Sequence, residues 1–320
     1  MPAAKPVLCI VTPGTKRANN GNWRTAARWA RMLRDRYRII VQSEWDGRAC
    51  DAMIALHARH SAESIARFHE RKGSAHLAVV LTGTDLYRDL PRSAEARRSL
   101  DAAGRIVVLQ EEALRSLEPR WRRKAEVIFQ SAPAKAHAKG RASPLRCVAV
   151  GHLRVEKDPA TLFLAVDRLP RDLAIRIRHI GAPLDPALAA QAKALAARDA
   201  RYTYSGALPA GSARAAIARA HMLIHPSKME GGANVVVEAV MSRTPVIASA
   251  IPGNVGMLGR KYPGYFDAGD ASDLAARLVR ACEDPRYLAS LRKACIGRRA
   301  LFAPAAEARA LGALARALAG

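Results

Sequence analysis

The sequence predicts an α/β protein made of two doubly wound domains that face each other across a cleft. Three observations predict it. Short β-branched runs alternate with longer amphipathic stretches, the pattern of βα units around parallel sheets. The alternation occurs twice, and between the two series Ala132 to Pro144 turns to Ala, Lys, Pro, Gly and Ser without an apolar period, as linkers do. The 320 residues also suffice for two ordinary cores. Open parallel sheets take ligands beyond the carboxyl ends of their strands, which puts a site in the cleft.

In the first series, strands are expected at 7–11, 38–42, 52–56, 78–81, 106–109 and 127–129, where Val, Ile and Leu cluster. Helices are expected at 23–34, 62–71, 94–100 and 112–117, where apolar residues recur at helical spacing. The second series places strands at 146–150, 174–180, 202–204, 222–225 and 246–248. Its helices fall at 161–169, 186–197, 213–220 and 235–241, followed by 272–282, 286–295 and a final amphipathic helix at 305–318. The expected division is residues 1–135, residues 145–300 and a terminal helical segment 301–320. No internal repeat exceeds the alternation itself.

Half of the residues are hydrophobic and a quarter charged, an ordinary globular composition. The five cysteines (Cys9, Cys50, Cys147, Cys282 and Cys295) have neither CxxC nor Cys/His metal spacing, and most lie in apolar runs. Buried thiols in a reducing cytoplasm are the expectation. Val7 to Val11 is too short for a signal peptide, and no run approaches the length of a membrane span. The net charge of +24 suits nucleic acid or an anionic membrane surface. Yet the arginines are spread along the chain, and Arg28, Arg31 and Arg34 follow a helical period like a solvated face. Aromatics make up only 5%, too few for base stacking. Neither nucleic-acid binding nor stable membrane association is therefore expected; the oligomeric state is open.

The most informative stretch is Glu230-Gly231-Gly232-Ala233-Asn234-Val235-Val236-Val237-Glu238. It reads as a loop turning into a helix. The glycines can take positive φ, Asn234 is a good N-cap, and residues 235–241 form a buried helix. N–H groups at such a helix start suit an anionic or hydroxyl-rich ligand, and both acids can turn toward one pocket. The same residues also make a capping turn with two surface glutamates. Near the amino end, Asn20, Gly21 and Asn22 form a turn ringed by Lys16, Arg17 and Arg24, an oxyanion cradle or simply a turn with a cap. Thr84, Asp85 and Arg88 follow the fourth strand and His57 the third, where they either reach a ligand or are the first exposed positions. No Asp-x-Asp or other metal constellation occurs, and no nucleophile has a base beside it.

Glu-x7-Glu, with Ala239-Val240-Met241-Ser242 and Pro245-Val246-Ile247-Ala248 after it, resembles the donor-site signature of retaining GT-B glycosyltransferases. Gly151-His152-Leu153-Arg154-Val155-Glu156-Lys157 is similar to the family's Gly-Arg-Leu…Glu-Lys segment, with His152 at the usual Arg and Arg154 two residues on. The resemblance implies two Rossmann-like domains and a UDP-sugar as substrate, with no cofactor and no metal. It implies that Lys157 and Arg154, with His152 beside them, take up diphosphate charge. Glu230 would contact the transferred sugar and Glu238 the ribose. Backbone groups of Gly231, Gly232, Asn234 and Val235 would face phosphate or hydroxyls, while Gly206 and Leu208 would read the uracil. The last helix resembles the segment that crosses back onto the first domain.

A narrower resemblance is to the selenosugar synthases of selenoneine biosynthesis. It rests on Gly21-Asn22-Trp23-Arg24-Thr25-Ala26, Asp46-Gly47-Arg48, Ala55-Leu56-His57-Ala58-Arg59, Leu81-Thr82-Gly83-Thr84-Asp85-Leu86-Tyr87-Arg88-Asp89, Gly151-His152-Leu153-Arg154 and Tyr262-Pro263-Gly264-Tyr265-Phe266. It implies that UDP-N-acetylglucosamine meets selenophosphate to give a 1-selenosugar. Lys16, Asn20, Gly21, Asn22, Arg24, His57, Thr84, Asp85 and Arg88 would then serve the acceptor. The rival acceptors are a thiol, another small molecule or a lipid-linked sugar; rival classes are a nucleic-acid binder and a sugar-nucleotide epimerase or binder.

Overall fold

The computed structural model describes residues 4–14, 21–135, 140 and 143–320. The strands are β1 Val7–Val11, β2 Arg38–Gln42, β3 Ala52–Leu56, β4 Leu77–Leu81, β5 Arg105–Val108, β6 Ala125–Val127, β7 Leu145–Val150, β8 Ile175–Ile180, β9 Tyr202–Tyr204, β10 Met222–His225, β11 Val246–Ser249 and β12 Tyr265–Phe266. The helices are α1 Gly21–Leu33, α2 Ala62–Lys72, α3 Ala94–Ala102, α4 Pro119–Arg122, α5 Pro159–Arg168, α6 Pro186–Arg198, α7 Ala210–Arg219, α8 Asn234–Met241, α9 Pro252–Leu258, α10 Ala271–Glu283, α11 Pro285–Arg298 and α12 Pro304–Ala319. The chain folds into two compact units, one of Met1–Gln130 with Pro304–Gly320 and one of Ser131–Ala303. No described helix is long and apolar enough to cross a membrane.

The first unit holds a parallel sheet in the order β2-β1-β3-β4-β5-β6. Side chains alternate across its faces, as the pleat requires. Cys9, Val11, Met53, Ala55, Val79 and Leu81 enter one apolar layer, and Leu8, Ile10, Ile54, Leu56 and Val80 the other. The second layer is completed by Trp29 and Leu33 of α1 and by Leu311, Leu314 and Leu318 of α12. Their spacing of three and four residues keeps them on one helix face. Burial of this stripe brings the end of the chain into the first unit. One buried acid fixes the register: Glu307 accepts from Arg28 Nε at 2.9 and 3.0 Å and from Trp29 Nε1 at 2.7 Å.

The second unit holds a parallel sheet in the order β12-β11-β10-β7-β8-β9. Its most buried helix is α8, where Val236 through Met241 are all buried. That follows from the sequence, since Val235-Val236-Val237 and Ala239-Val240-Met241 leave Glu238 as the lone charge. Asp185, Asp270 and Asp284 cap α6, α10 and α11 by accepting first-turn N–H groups.

Several elements differ from expectation. β6 pairs over Ala125–Val127, two residues before the apolar run, because its register follows β5 from Arg105. The helix expected at 112–117 is a 3-10 turn, Glu111–Ser116, with Gln110 accepting from Ala113 N–H. α9 contains Gly253 and Gly256, poor helix formers that read as loop. β12 has two residues, too few to show alternation.

Candidate functional site

In the second sheet the strand order reverses between β7 and β10, and crevices at such switch points receive ligands. The loops leaving these two strands carry Lys157 and Glu230. Gly181 lets the ends of β7 and β8 touch, since a Cβ there would lie 1.8 Å from the Gly151 carbonyl oxygen. His152 Nδ1 accepts the Ala182 N–H at 3.0 Å, so its neutral ring carries the proton on Nε2. Desolvation first, then the charges of Arg154 and Lys157, push this imidazole below its ordinary range. Arg154 is exposed and 3.9 Å from Glu156.

Residues Val155–Lys157 make one helical turn, closed by Asp158 at φ +46°. Asp158 accepts the Thr161 hydroxyl at 2.6 Å and faces Lys228 Nζ at 3.2 Å, while Lys228 N–H donates to the Glu156 carbonyl at 2.9 Å. The two loops are thereby laced together. Lys157 Nζ donates to Glu230 Oε1 at 2.5 Å, and His225 Nε2 lies 3.2 Å from the same oxygen. Glu230 is only 8% exposed. Burial works to raise its carboxyl, but the Lys157 charge and the His225 contact outweigh it and hold the group well below the carboxylate range. It is a carboxylate at any neutral pH.

Two local expectations are corrected. Gly231 and Gly232 are not among the left-handed residues of the described chain; the glycine demanded here is Gly253, where a Cβ would sit 2.1 Å from the Glu230 carbonyl oxygen. Asn234 does not cap α8 but is its first residue, after Ala233 in extended geometry. The reason is that Ala233 C=O already accepts from Val236 and Val237. Gly232, Asn234 and Val235 are half-buried around that first turn and Gly231 is buried.

Glu238 lies one turn into α8, is 4% exposed, and has Arg214 Nε of α7 at 3.5 Å from Oε1. Neither acid is a surface group. Gly206 takes φ +64° and accepts the Gly181 N–H at 2.8 Å, with Leu208 half-buried beyond it.

In the first unit, Gly21 opens α1 and its carbonyl accepts the Thr25 hydroxyl at 3.0 Å; Asn22 and Arg24 are half-buried on that turn. Lys16 and Asn20 lie outside the described residues. His57 ends β3 at φ +74°, buried, with Nε2 3.1 Å from Thr84 Oγ1. Asp85 has a different task from the one expected. It is fully buried and accepts the backbone N–H groups of Ala58, Thr82, Gly83 and Leu86, so it organises two loops from inside. Arg88 is paired with Asp89 at 2.9 Å.

Sequence reasoning missed His225, Gly253, Arg214 and Asp89. His225 had a signal, a polar residue closing an apolar strand just before Pro226. The others became visible only through their neighbours.

The sequence profile of the family described as "Glycosyl transferases group 1" matches residues 136–298, just over half of the 320. No curated protein sequence matches the chain. Among solved structures, it is similar to Anabaena HepE, crystallised with UDP and glucose, at 15% identity and a TM-score of 0.77, covering 98% of this chain and 100% of that one. It is similar to sucrose-phosphate synthase from Thermosynechococcus elongatus at 17% identity and a TM-score of 0.78, over 98% and 99% of the two chains. The pneumococcal O-GlcNAc transferase GtfA, crystallised with UDP and GlcNAc, aligns at 14% identity and a TM-score of 0.67, over 83% of this chain and 57% of its own. The fold class is α/β of the GT-B type.

Proposed function

The chain belongs to the group 1 glycosyltransferases, and from that premise we propose that it moves a sugar, N-acetylglucosamine, from its UDP donor to selenophosphate with retention at the anomeric carbon and without a metal. The observation that carries the donor half is the contact of the half-buried Lys157 with the buried Glu230 at the switch point of the second sheet. A similar fold is crystallised with UDP and glucose in HepE and with UDP and GlcNAc in GtfA, which supports a UDP-sugar. The acceptor identity rests on the quoted sequence motifs.

In this reading the lone pair of selenium forms the bond to the anomeric carbon. The bond from that carbon to the diphosphate oxygen breaks, and its electron pair leaves on UDP. Lys157 is positioned by Glu230 to meet the charge gathering on the leaving diphosphate, and Arg154 adds a second cation from solvent. Charge compensation that grows along the reaction path lowers the barrier, whereas equal binding of substrate and transition state does not. Glu230 accepts from a sugar hydroxyl and Glu238 from the ribose. The acceptor needs no strong base, because selenophosphate is already an anion at neutral pH. Action in the cytoplasm belongs to the same reading.

Incubation with UDP-N-acetylglucosamine and selenophosphate should release UDP and give a product with the mass of the sugar selenophosphate, or of the 1-selenosugar with inorganic phosphate where water has cleaved its P–Se bond. UDP release that ignores selenophosphate while a thiol, polyol or lipid-linked acceptor is consumed would replace the acceptor. Unchanged turnover in Glu230→Gln would remove the site.

A further inference from the structure

Beyond the carboxyl ends of β3 and β4 in the first unit, His57, His60 and Asp89 each bring one nitrogen or carboxylate oxygen within 4.8 Å of the others. Two histidines and a carboxylate suggest a metal at first sight. The hydrogen bonds exclude His57 as a ligand. Its Nδ1 accepts the His60 N–H at 3.2 Å, so the neutral ring is protonated on Nε2. Coordination through Nε2 would leave Nδ1–H pointing at another N–H. Arginines also stand where a cation would be repelled: Arg88 Nε is 2.9 Å and Arg59 Nη1 3.6 Å from Asp89 Oδ1.

What remains is a set of donors around one open acceptor. Asp89 is 4% exposed; its Oδ1 takes the two guanidiniums, but its buried Oδ2 has no hydrogen-bond partner. His57 Nε2 lies 3.8 Å from it, beyond hydrogen-bond reach, and gives its proton to Thr84 Oγ1 at 3.1 Å. A buried carboxylate oxygen left unpaired is costly and calls for a donor. Asp85 holds the backbone of both loops rigid beneath the cluster, through the four N–H groups it accepts. The side chains of Arg59 and Arg88 are 47% and 40% exposed, and His60 is exposed.

An anion that has lost every proton gains from the arginines but is repelled by Asp89 Oδ2. An oxyanion that keeps one proton accepts from the two guanidiniums and donates its own O–H to Oδ2, while His57 Nε2–H stays engaged with the Thr84 hydroxyl. We propose that Arg59, Arg88 and Asp89 form a binding site for a tetrahedral oxyanion of the phosphate class that retains a proton, with Asp89 reading that proton. As the seat of the acceptor, the site rests on the reading given above; as an oxyanion site, it stands without it.

The test uses the full chain without nucleotide, titrated calorimetrically with inorganic phosphate and with sulfate. Phosphate should bind at least about tenfold more tightly than sulfate, because charge-assisted hydrogen bonds gained or lost count for that much. Asp89→Asn should erase the preference by offering an amide donor to sulfate, and the surface variant Arg59→Gln should weaken both anions. Lys157→Met, which alters the second unit, should leave the preference intact. Equal affinities in the unaltered protein, no phosphate binding, or a preference untouched by Asp89→Asn and Arg59→Gln would overturn the proposal. So would tight zinc binding lost in His57→Asn. Phosphate selectivity without selenosugar formation would sink the acceptor assignment and spare this site.

Discussion

Lys157 closes on the buried carboxylate of Glu230 at 2.5 Å, and with the two Lys228 contacts it ties the loop after β7 to the loop after β10. Lys157→Met leaves a buried charge without its partner, which costs about 3–5 kcal/mol in comparable cases. The variant should melt well below the unaltered protein. Adding Glu230→Gln should restore much of the melting temperature and none of the UDP release, since the pair is removed as a unit. Equal melting of single and double variants would deny the pair its structural weight.

Acid should unmask the same pair. The Glu230 carboxyl is lower in the folded protein than the ordinary value of 4.5, so its stabilisation is complete above that value and is lost as pH falls through and below it. Urea unfolding measured from about pH 6 down to about pH 3 should therefore steepen in the acid range, and Glu230→Gln should remove part of that slope. Parallel slopes would show that the carboxyl is not depressed.

Gly253→Ala should displace Glu230 without touching its chemistry. The new Cβ would meet the Glu230 carbonyl oxygen at 2.1 Å, and overpacking of this kind costs about 1–3 kcal/mol. A fall in kcat accompanied by a modest loss of stability is the expected outcome of a paired kinetic and melting measurement. Unchanged kcat would mean that the position of Glu230 does not govern turnover.

Glu238→Gln should weaken UDP binding about tenfold or more, the worth of a charged hydrogen bond, while kcat at saturating donor changes less. Calorimetry with UDP and initial rates against donor concentration separate the two. An unaltered affinity would take the ribose contact away from Glu238.

Glu307→Gln tests the docking of α12. It removes the charge that Arg28 and Trp29 hold in a buried place, so unfolding should become easier by about 3–5 kcal/mol. Denaturant titration followed by the fluorescence of the four tryptophans, Trp29 among them, reads the shift; an unshifted midpoint would show that the apolar stripe alone suffices.

The sequence by itself determined the two sheets. Strands β3, β4, β10 and β11 are buried along their whole length and read as nearly unbroken apolar runs, and the Asp caps and Pro starts of α6 and α11 mark themselves. It also singled out Glu230 and Glu238, because a charge inside an apolar or glycine-rich run is conspicuous along a chain, and Lys157 through the resemblance of its segment to the family's Glu-Lys motif. Only the tertiary structure decided what each one touches. His225 and Gly253 meet Glu230 from different strand ends, Arg214 meets Glu238 from another helix, and Asp85 turns inward to serve four backbone N–H groups. Propensity is local and survives in a one-dimensional reading, whereas hydrogen bonds and close approaches are made by residues tens of positions apart and exist only once the sheets have folded.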